Sequence, residues 1–597
     1  MATEAFDFMD YFHLARANKN KLKYSSFTLI LSLISISLLS SSCSQQLVTF
    51  TPEPPIQEII EQVSTPDLPS TETSQYFPVP YFVWMDPSLP EAVHNEVSLQ
   101  SGFEITNQKD LAHLCISSAR DEQIGSWTYL VVAPFYSKLK NVQFSDVHDY
   151  WKTGSMDIPD YNQLLMSEKT KIHISQFWGE PNSDGIEITD PGEILDRTWY
   201  DIDSLAIIPF EELVPSYKVI SIDNQNPLIS SGEDNSYQLT FPIYLTVLDP
   251  SLLYPVELAN VKNFDRSKLT SVALTGVTAM VRDTAAIMEE KGILYPGIDV
   301  RDILNSADIT HINNEVPFAL DCPSPNPSQN SLSFCSSDSY LDLLESVGTD
   351  IVELSGDHFA DHGPEAMLHT LVLYEQHDLI TYGGGSNYQT GLDPVTINHN
   401  GNKISFIGCN AKKFEGYATA SETQPGASAC DFEWMIEEIN RLAGEGNVVI
   451  ATMQHEEVDS YFPISLQLFD FRRLSEAGAS IVSGSQAHHP QGIEITGSKF
   501  IHYGLGNLFF DQWHLARYNP DIHINKDKSF IDYHFIYDGV YINTSLIPLQ
   551  FIDNARPREM TAGEEALFLD ELYKASKWNN RWISLFPSHF FDYVENQ

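Results

Sequence analysis

The sequence predicts a two-domain α/β protein, and two observations lead to that prediction. From about residue 270 onward, short apolar segments alternate with helix-like segments that end at glycine, which is the signature of βαβ units and a parallel sheet. Between residues 78 and 265, apolar segments such as "WTYLVVAPFY" and "LTFPIYLTVL" are mixed with helix-like segments, which indicates a separate α/β unit. Hydrophobic residues form 42% of the 597 residues, so both regions contain enough apolar side chains for a core.

The C-terminal alternation can be followed element by element. "SVALTG" is the first strand candidate, and "DTAAIMEEKG" is a helix that ends at Gly292. Further strand candidates then recur between helical segments, and these are "DITHIN", "TDIVELSG", "KISFIGCN", "NVVIATMQH" and "ASIVSGS". Ligands of parallel α/β sheets bind at the carboxyl ends of the strands, so we expect functional side chains directly after these segments.

The first 77 residues predict export and a membrane anchor. Residues 1–43 contain a basic stretch, an apolar run from Phe27 to Leu39 and small residues before Cys43, which is the pattern of a signal peptide. The apolar run has about 13 residues, fewer than the roughly 20 needed to span a bilayer. Cys43 after small residues resembles a bacterial lipobox, so we expect lipidation there and a lipoprotein on the extracellular face of the cell membrane. The alternative is a plain signal peptide with an incidental cysteine.

Residues 44–77 are rich in Pro, Thr, Ser and Glu, a composition typical of a disordered linker. The formal net charge of the chain is -47, which repels phosphates and argues against a nucleic acid partner. In an exported protein, the cysteine spacing suggests the pairs Cys322–Cys335 and Cys409–Cys430, although spacing alone leaves the connectivity open. We expect Cys115 to be a small buried apolar residue.

Polar side chains that bind metal ions follow four of the predicted strands. These clusters are Asn314 and Glu315, then Asp357, His358 and Asp361, then His455 and Glu456, and finally Gln486, His488 and His489. Carboxylates, amides and neutral imidazoles are ligands for Zn, Mn or Fe ions. A single histidine after a strand is usually a solvated or capping residue, but four clusters at one sheet edge predict a site for a divalent metal ion.

Five motifs together resemble the CapA / poly-gamma-glutamate capsule-synthesis family: "INNEVPF", "GDHFADHGPEAMLHTL", "QHEEVDSYFP", "SGSQAHHPQGIEI" and "KFIHYGLGNLFFDQ". The resemblance covers about residues 270–515. It implies a metallophosphatase-like αββα sandwich over residues 270–550, with residues 551–597 as a C-terminal closing segment. Residues 78–265 resemble two-lobed extracellular solute-binding proteins, which implies a domain for an anion or another small ligand. The alternative for this part is an unrelated α/β domain.

The resemblance assigns roles to particular residues. Asp357 matches a metal ligand, His358 matches a residue at the reacting phosphate or acyl centre, and Asp361 matches its orienting partner. The implied metal ligands are Glu315, Asp357, His455, Gln486 and His488. Asn314 and Asn507 are expected to contact these ligands without binding the metal themselves.

This sequence also departs from the family pattern. Val277 stands where the family usually has an aspartate ligand, Gln486 stands where it has a histidine, and Asp357 stands where it has an asparagine. A two-metal centre needs a bridging carboxylate and several ligands for each ion. We therefore expect either a single ion, held by Glu315, Asp357, His455 and His488, or a domain that binds without a metal.

Two functions remain open from the sequence. The first is a surface-anchored, metal-assisted hydrolase or transferase that acts in the synthesis or processing of an anionic capsule or exopolymer of the poly-gamma-glutamate type. The second is a catalytically degenerate module that recognises an anionic polymer or a glycan at the cell surface. Val277 favours the second function, and the remaining His, Asp and Glu residues favour the first.

Overall fold

The computed structural model describes residues 80–578, except for residues 99, 101, 120, 156, 183–184, 202, 230–236, 252–257, 259, 330, 413–417 and 513–524. Cys43, the predicted signal peptide and the predicted linker lie outside the described residues. Among the helices that the structure does describe, none combines the length and the apolar character needed to cross a bilayer. The two suggested disulfides, Cys322–Cys335 and Cys409–Cys430, are confirmed, and Cys115 is buried and free as expected.

An eleven-stranded mixed sheet organises the N-terminal region. Its strands are β1 (Tyr81–Met85), β2 (Phe103–Ile105), β3 (Leu114–Ser117), β4 (Glu122–Pro134), β5 (Asn141–Val142), β6 (Gln163–Met166), β7 (Ile186–Ile188), β8 (Ser204–Pro209), β9 (Tyr217–Ile222), β10 (Thr240–Val247) and β11 (Val261–Lys262). The helices of this region are α1 (Glu91–Ser98), α2 (Phe144–Thr153), α3 (Glu168–Trp178) and α4 (Pro191–Tyr200). The long strand β4 is central, because it pairs with β8, β9, β10 and β11.

Two further sheets form the C-terminal region. The first, called here the front sheet, contains β12 (Leu269–Thr275), β13 (Val277–Thr278), β14 (Ile309–Asn314), β15 (Ile351–Glu353), β16 (Ile380–Tyr382), β25 (Asn507–Phe509), β26 (Lys528–Tyr537), β27 (Val540–Phe551) and β28 (Pro557–Glu559). The second, called the back sheet, contains β18 (Val395–His399), β19 (Asn402–Asn410), β21 (Val448–Gln454), β22 (Ile481–Ser485), β23 (Ile493–Thr496) and β24 (Lys499–His502). A small pair, β17 (Gly384–Gly385) and β20 (Gly426–Ala427), forms a separate two-stranded sheet.

The strands that carry the predicted clusters are parallel to their neighbours. In the front sheet, β14 runs parallel to β12, β13 and β15, and in the back sheet β21 runs parallel to β19 and β22. The helices of this region are α5 (Arg282–Lys291), α6 (Arg301–Asn305), α7 (Leu341–Ser346), α8 (Gly363–Gln376), α9 (Tyr388–Leu392), α10 (Phe432–Gly444), α11 (Ser465–Glu476) and α12 (Ala562–Ala575). The strand–helix alternation predicted from the sequence is therefore present.

The C-terminal region is a four-layer αββα sandwich. Apolar cores lie between its two sheets and between each sheet and the helices that cover it. One core cluster lies between the sheets and joins front-sheet residues such as Val272 to back-sheet residues such as Ile450. Helices α10 and α11 cover the outer face of the back sheet, where Ile439 and Phe471 are buried. On the outer face of the front sheet, residues of α5, α7 and α8 share a core with the N-terminal region. The two-domain α/β fold class is thus confirmed, while the exact domain boundaries stay predictions.

Candidate functional site

Four chain segments converge at the carboxyl ends of the parallel strands. Glu315 follows β14 and Asp357 follows β15 in the front sheet, while Gln454 ends β21 and Gln486 follows β22 in the back sheet. The two front-sheet segments approach closely at Gly356, where a Cβ would lie 2.5 Å from the carbonyl oxygen of Glu315. Only glycine leaves room for this approach, so the local sequence "SGD" brings Asp357 next to Glu315.

Glu315, Asp357 and His358 form the centre of the site. Each offers one ligand atom within 4.8 Å of those of the other two, and no other set of His, Cys, Asp or Glu among the described residues has this geometry. Gln454 connects the two carboxyl groups, since its Nε2 donates to Oε1 of Glu315 at 3.3 Å and to Oδ1 of Asp357 at 3.2 Å. The site is thus shared by both sheets.

The two carboxyl groups have opposite pKa shifts. Burial and the charge of Asp357 raise the pKa of Glu315 well above its usual value. Burial also acts to raise the pKa of Asp357, but the hydrogen bond with Glu315 and the charges of His358 and Lys412 outweigh it and lower that pKa to about 2. Of the two groups, Asp357 is therefore the one that favours the ionised form.

A lysine lies among these groups. The Nζ of Lys412 contacts Oδ2 of Asp357, and the Lys412 side chain is 25% exposed. The side-chain amide of Gln486 contacts the Gln454 amide and lies next to Lys412 and the two carboxyl groups. Burial opposes the charge on Lys412, but Asp357 and Glu315 outweigh it and raise the pKa of the lysine, so it remains an ammonium.

His358 and Asp361 form a hydrogen-bonded pair on the turn after β15. The Nδ1 of His358 lies 2.7 Å from Oδ2 of Asp361, whose side chain is buried, while the His358 side chain is 17% exposed. The backbone N–H of Phe334 also donates to Asp361 at 2.8 Å, and the Phe334 ring packs edge-on against the imidazole. This carboxylate holds Nδ1, so the ring orientation is fixed and Nε2 is left for a ligand.

The structure brings Gln454, and not His455, into the site. Successive residues at the end of a strand point to opposite faces, and Gln454 faces the carboxyl groups. The Nε2 of His455 instead pairs with Oδ2 of Asp470 at 2.9 Å, and its ring packs against Phe471 on the side of helix α11. The predicted ligand set of Glu315, Asp357, His455 and His488 therefore does not come together as expected.

His488 lies beside the centre. Its Nε2 is 4.0 Å from Oε1 of Glu315, and its Nδ1 is hydrogen-bonded to Oδ1 of Asn507 at 2.8 Å. Burial lowers the pKa of His488 to about 4, so the ring is neutral near pH 7. The loop is strained here, because Gln486 and His488 have positive φ angles of 74° and 50°. Such strain is typical of functional loops.

Asn314 and Val277, two further positions that the sequence singles out, lie in structural surroundings and not at the centre of the site. The Nδ2 of Asn314 donates to the carbonyl of Val316 at 2.9 Å and to the hydroxyl of Tyr374 at 2.8 Å, which ties the loop after β14 to helix α8. Val277 is fully buried in an apolar cluster that includes Val316 and Phe510. At this position the structure therefore has part of an apolar core.

A buried polar network lies beneath the site. Glu353 of β15 is hydrogen-bonded to Ser355 and accepts from Nδ2 of Asn313 at 2.8 Å. Asn313 Nδ2 also lies 3.3 Å from Oγ of Ser485, and this hydroxyl donates to Oε1 of Gln454 at 2.7 Å. The network joins the front sheet to the back sheet and fixes the amide of Gln454.

Comparison with known proteins identifies the region that carries this site. Residues 271–512 match the family model described as "Bacterial capsule synthesis protein PGA_cap". This region is similar to the CapA family. The chain is 26% identical over 311 residues to "Capsule biosynthesis protein CapA" of Bacillus anthracis, covering 51% of this chain and 72% of the relative. It is 24% identical over 285 residues to "PGA biosynthesis protein CapA" of Bacillus subtilis (strain 168), covering 47% of this chain and 72% of the relative.

The resemblance to the CapA family is thus confirmed. Among solved structures, a hypothetical protein from Thermus thermophilus matches with a TM-score of 0.31 and 15% identity, covering 47% of this chain and 99% of that protein. The likeness of residues 78–265 to solute-binding proteins stays a prediction.

The residues of the CapA-family region do not fit a two-metal centre. Such a centre needs several anionic or imidazole ligands around each ion. Here two glutamine amides and an ammonium group face the carboxyl groups, and Val277 lies in an apolar cluster. An ion bound by Glu315 and Asp357 would also lie against the positive charge of Lys412, and like charges repel strongly in a partly buried site.

Sequence reasoning misses two residues of the site. Gln454 directly precedes the predicted ligand His455, and the alternation of side chains along a strand is the signal that distinguishes them. Lys412 follows the strand candidate "KISFIGCN" by two residues, so the rule that sites form after parallel strands also points to it. A search restricted to metal-binding residue types does not find Lys412, because lysine does not belong to these types.

Proposed function

We propose that this chain is a surface-anchored protein of capsule-type exopolymer synthesis whose strand-end site binds an anionic polymer without cleaving it. The similarity of residues 271–512 to the CapA family supports the capsule part of the proposal, because the two relatives are named as capsule and PGA biosynthesis proteins. The predicted signal peptide, Cys43 lipidation and linker support a location at the extracellular face of the membrane.

The observation that carries the binding function is the composition of the site. The positions that face Glu315 and Asp357 from the back sheet are amides and an ammonium group, which form hydrogen bonds but do not activate a water molecule as a pair of metal ions does. The loops nevertheless hold the His358–Asp361 pair in a defined position beside these groups. An ordered site with few metal ligands favours recognition over turnover.

The ligand group that fits is a carboxylate. His358 and Lys412 both adjoin Asp357, and their side chains are partly exposed, so they are donors that a ligand can reach. A carboxylate of a polymer of the poly-gamma-glutamate type would accept from the ammonium of Lys412 in a charge-assisted hydrogen bond. It would accept from Nε2 of His358 when both nitrogens of that ring carry a proton, because Nδ1 already donates to Asp361.

The test is polymer binding by the full chain. Binding of poly-gamma-glutamate is measured by calorimetry, with neutral dextran as the polymer control and with and without a chelator. The His358→Ala variant is compared with His377→Ala. His377 lies at the C-terminal end of helix α8, is exposed and pairs with Glu345. We expect saturable binding that the chelator does not change, and an affinity about 10-fold lower in His358→Ala only.

The same samples are tested for hydrolysis of phosphodiester and peptide substrates with added Mn²⁺ or Zn²⁺. Metal-dependent turnover that is lost in His358→Ala would replace the binding function with the metal-assisted hydrolase or transferase, the first of the two functions that the sequence leaves open. Absence of both binding and turnover would contradict both functions. Because the net charge of -47 opposes non-specific attachment of an anionic polymer, saturable binding is informative.

A further inference from the structure

The position of Lys412 is fixed by the loop that carries it. Strand β19 ends at Asn410, and the Asn410 side chain accepts from the backbone N–H of Lys412 at 3.0 Å and donates to the carbonyl of Ser355 at 2.8 Å. The backbone N–H of Ala411 donates to the carbonyl of Gln454 at 2.8 Å. The loop that carries Lys412 is therefore hydrogen-bonded to both of the segments that flank Asp357.

The ammonium group of Lys412 is paired with a carboxyl group that an ion at this site would need. It contacts Oδ2 of Asp357 on one side, and on another side it lies next to the side-chain amide of Gln486. The Gln454 amide nitrogen donates to Oδ1 of Asp357 and to Oε1 of Glu315. Donors thus occupy both oxygens of Asp357 and one oxygen of Glu315, whereas a metal ion requires the lone pairs of these atoms.

We propose that Lys412 is the resident cation of this site and takes the place of a metal ion, so that the site keeps its fold and its charge balance without metal. The three groups that remain, Glu315, Asp357 and His358, have the proximity needed for one divalent ion. They would bind that ion once the lysine charge is removed. This inference concerns the site of the proposed function and rests on it for its biological meaning, but it is tested by metal binding alone.

The experiment measures Mn²⁺ binding by the full chain, using calorimetry and the electron paramagnetic resonance signal of the free ion. Wild type is compared with Lys412→Met, which removes the charge and keeps the length of the side chain. Lys138→Met is the matched control, because Lys138 is an exposed lysine that pairs with Asp570. Glu315→Gln removes one of the proposed ligands, and it is measured alone and combined with Lys412→Met.

We expect no stoichiometric Mn²⁺ site in wild type or in Lys138→Met, and one Mn²⁺ per chain in Lys412→Met. Adding Glu315→Gln should then weaken Mn²⁺ binding by about 10- to 100-fold. Thermal unfolding provides a second readout, since added Mn²⁺ should raise the melting temperature of Lys412→Met and leave that of wild type unchanged.

The inference is overturned if wild type binds one Mn²⁺ that is lost in Glu315→Gln, or if folded Lys412→Met binds no ion. If Lys412→Met does not fold, the wild-type and Glu315→Gln measurements still decide, because they ask directly whether the native site holds a metal. A failure of polymer binding would contradict the proposed function and leave the metal result unaffected, so the two proposals fail separately.

Discussion

The two halves of the site differ in chemistry although they are built in the same way. The front sheet supplies Glu315, Asp357 and His358, which are acids and an imidazole. The back sheet supplies Gln454, Gln486 and Lys412, which are amides and an ammonium group, from loops at the same ends of parallel strands. The front sheet thus contributes groups that transfer protons or bind cations, and the back sheet presents hydrogen-bond donors to them.

The difference shows that one fold can present both kinds of chemistry at one sheet edge. The back sheet donates to both oxygens of Asp357 and to Oε1 of Glu315, so the carboxylate of Asp357 has partners for its charge. The loops keep their close approach at Gly356 and their strained conformation at Gln486. Four predictions separate the contribution of each half.

The largest effect is expected for the network that joins the halves. Glu353 is buried and lies within hydrogen-bonding distance of Ser355 and Asn313 and beside His311. Glu353→Leu leaves these groups without their anion, and we expect a loss of about 3–5 kcal/mol in the free energy of unfolding, measured with urea. A loss below about 1 kcal/mol would show that the two sheets do not depend on this network.

A smaller effect is expected for the close approach within the front half. In Gly356→Ala, the new Cβ would lie 2.5 Å from the carbonyl oxygen and 2.6 Å from the Cα of Glu315, so the two loops must separate. We expect a loss of about 1–3 kcal/mol in unfolding free energy together with weaker polymer binding. Gly444→Ala is the control, because that Cβ meets nothing within 4 Å and should be neutral or slightly stabilising. Equal stability of the two variants would contradict the tight contact.

The comparison also explains which parts can be predicted from the sequence. Strand–helix alternation predicts the parallel strands and the place of the site, because hydrophobic period and glycine position depend on local sequence. The direction of a single side chain depends on where the strand ends and on tertiary contacts, and for that reason the pattern favours His455 although Gln454 faces the site. Lys412 contacts Asp357 only because the two sheets pack together. The two residues lie 55 positions apart in the chain, so no local sequence pattern predicts their contact.

A further test concerns the orientation of His358 in the front half. Asp361→Asn removes the negative charge that accepts from Nδ1 of His358, and we expect a loss of about 1–2 kcal/mol in stability and a weaker affinity for the polymer. The nitrogen chemical shifts of the imidazole should show a changed tautomer population. Asp338→Asn, which alters a comparable but more exposed pair with His369, should change stability by less than about 0.5 kcal/mol. Unchanged shifts in Asp361→Asn would show that the carboxylate does not orient the ring.

The smallest effect is a pH dependence that reports the charge of the network. Burial acts to raise the pKa of Glu353, but its hydrogen bonds with His311, Ser355 and Asn313 outweigh it and lower the pKa below the usual 4.5. A lowered pKa in the folded state gives stability that is fully present above the unfolded value and is lost as the pH falls through the folded value. The difference in unfolding free energy between wild type and Glu353→Gln should therefore be constant from roughly pH 6 to pH 7.5 and should shrink below about pH 4.5. A difference that stays constant down to about pH 3 would show that Glu353 is not an ion in the folded protein, and the two sheets would then be joined by neutral hydrogen bonds alone.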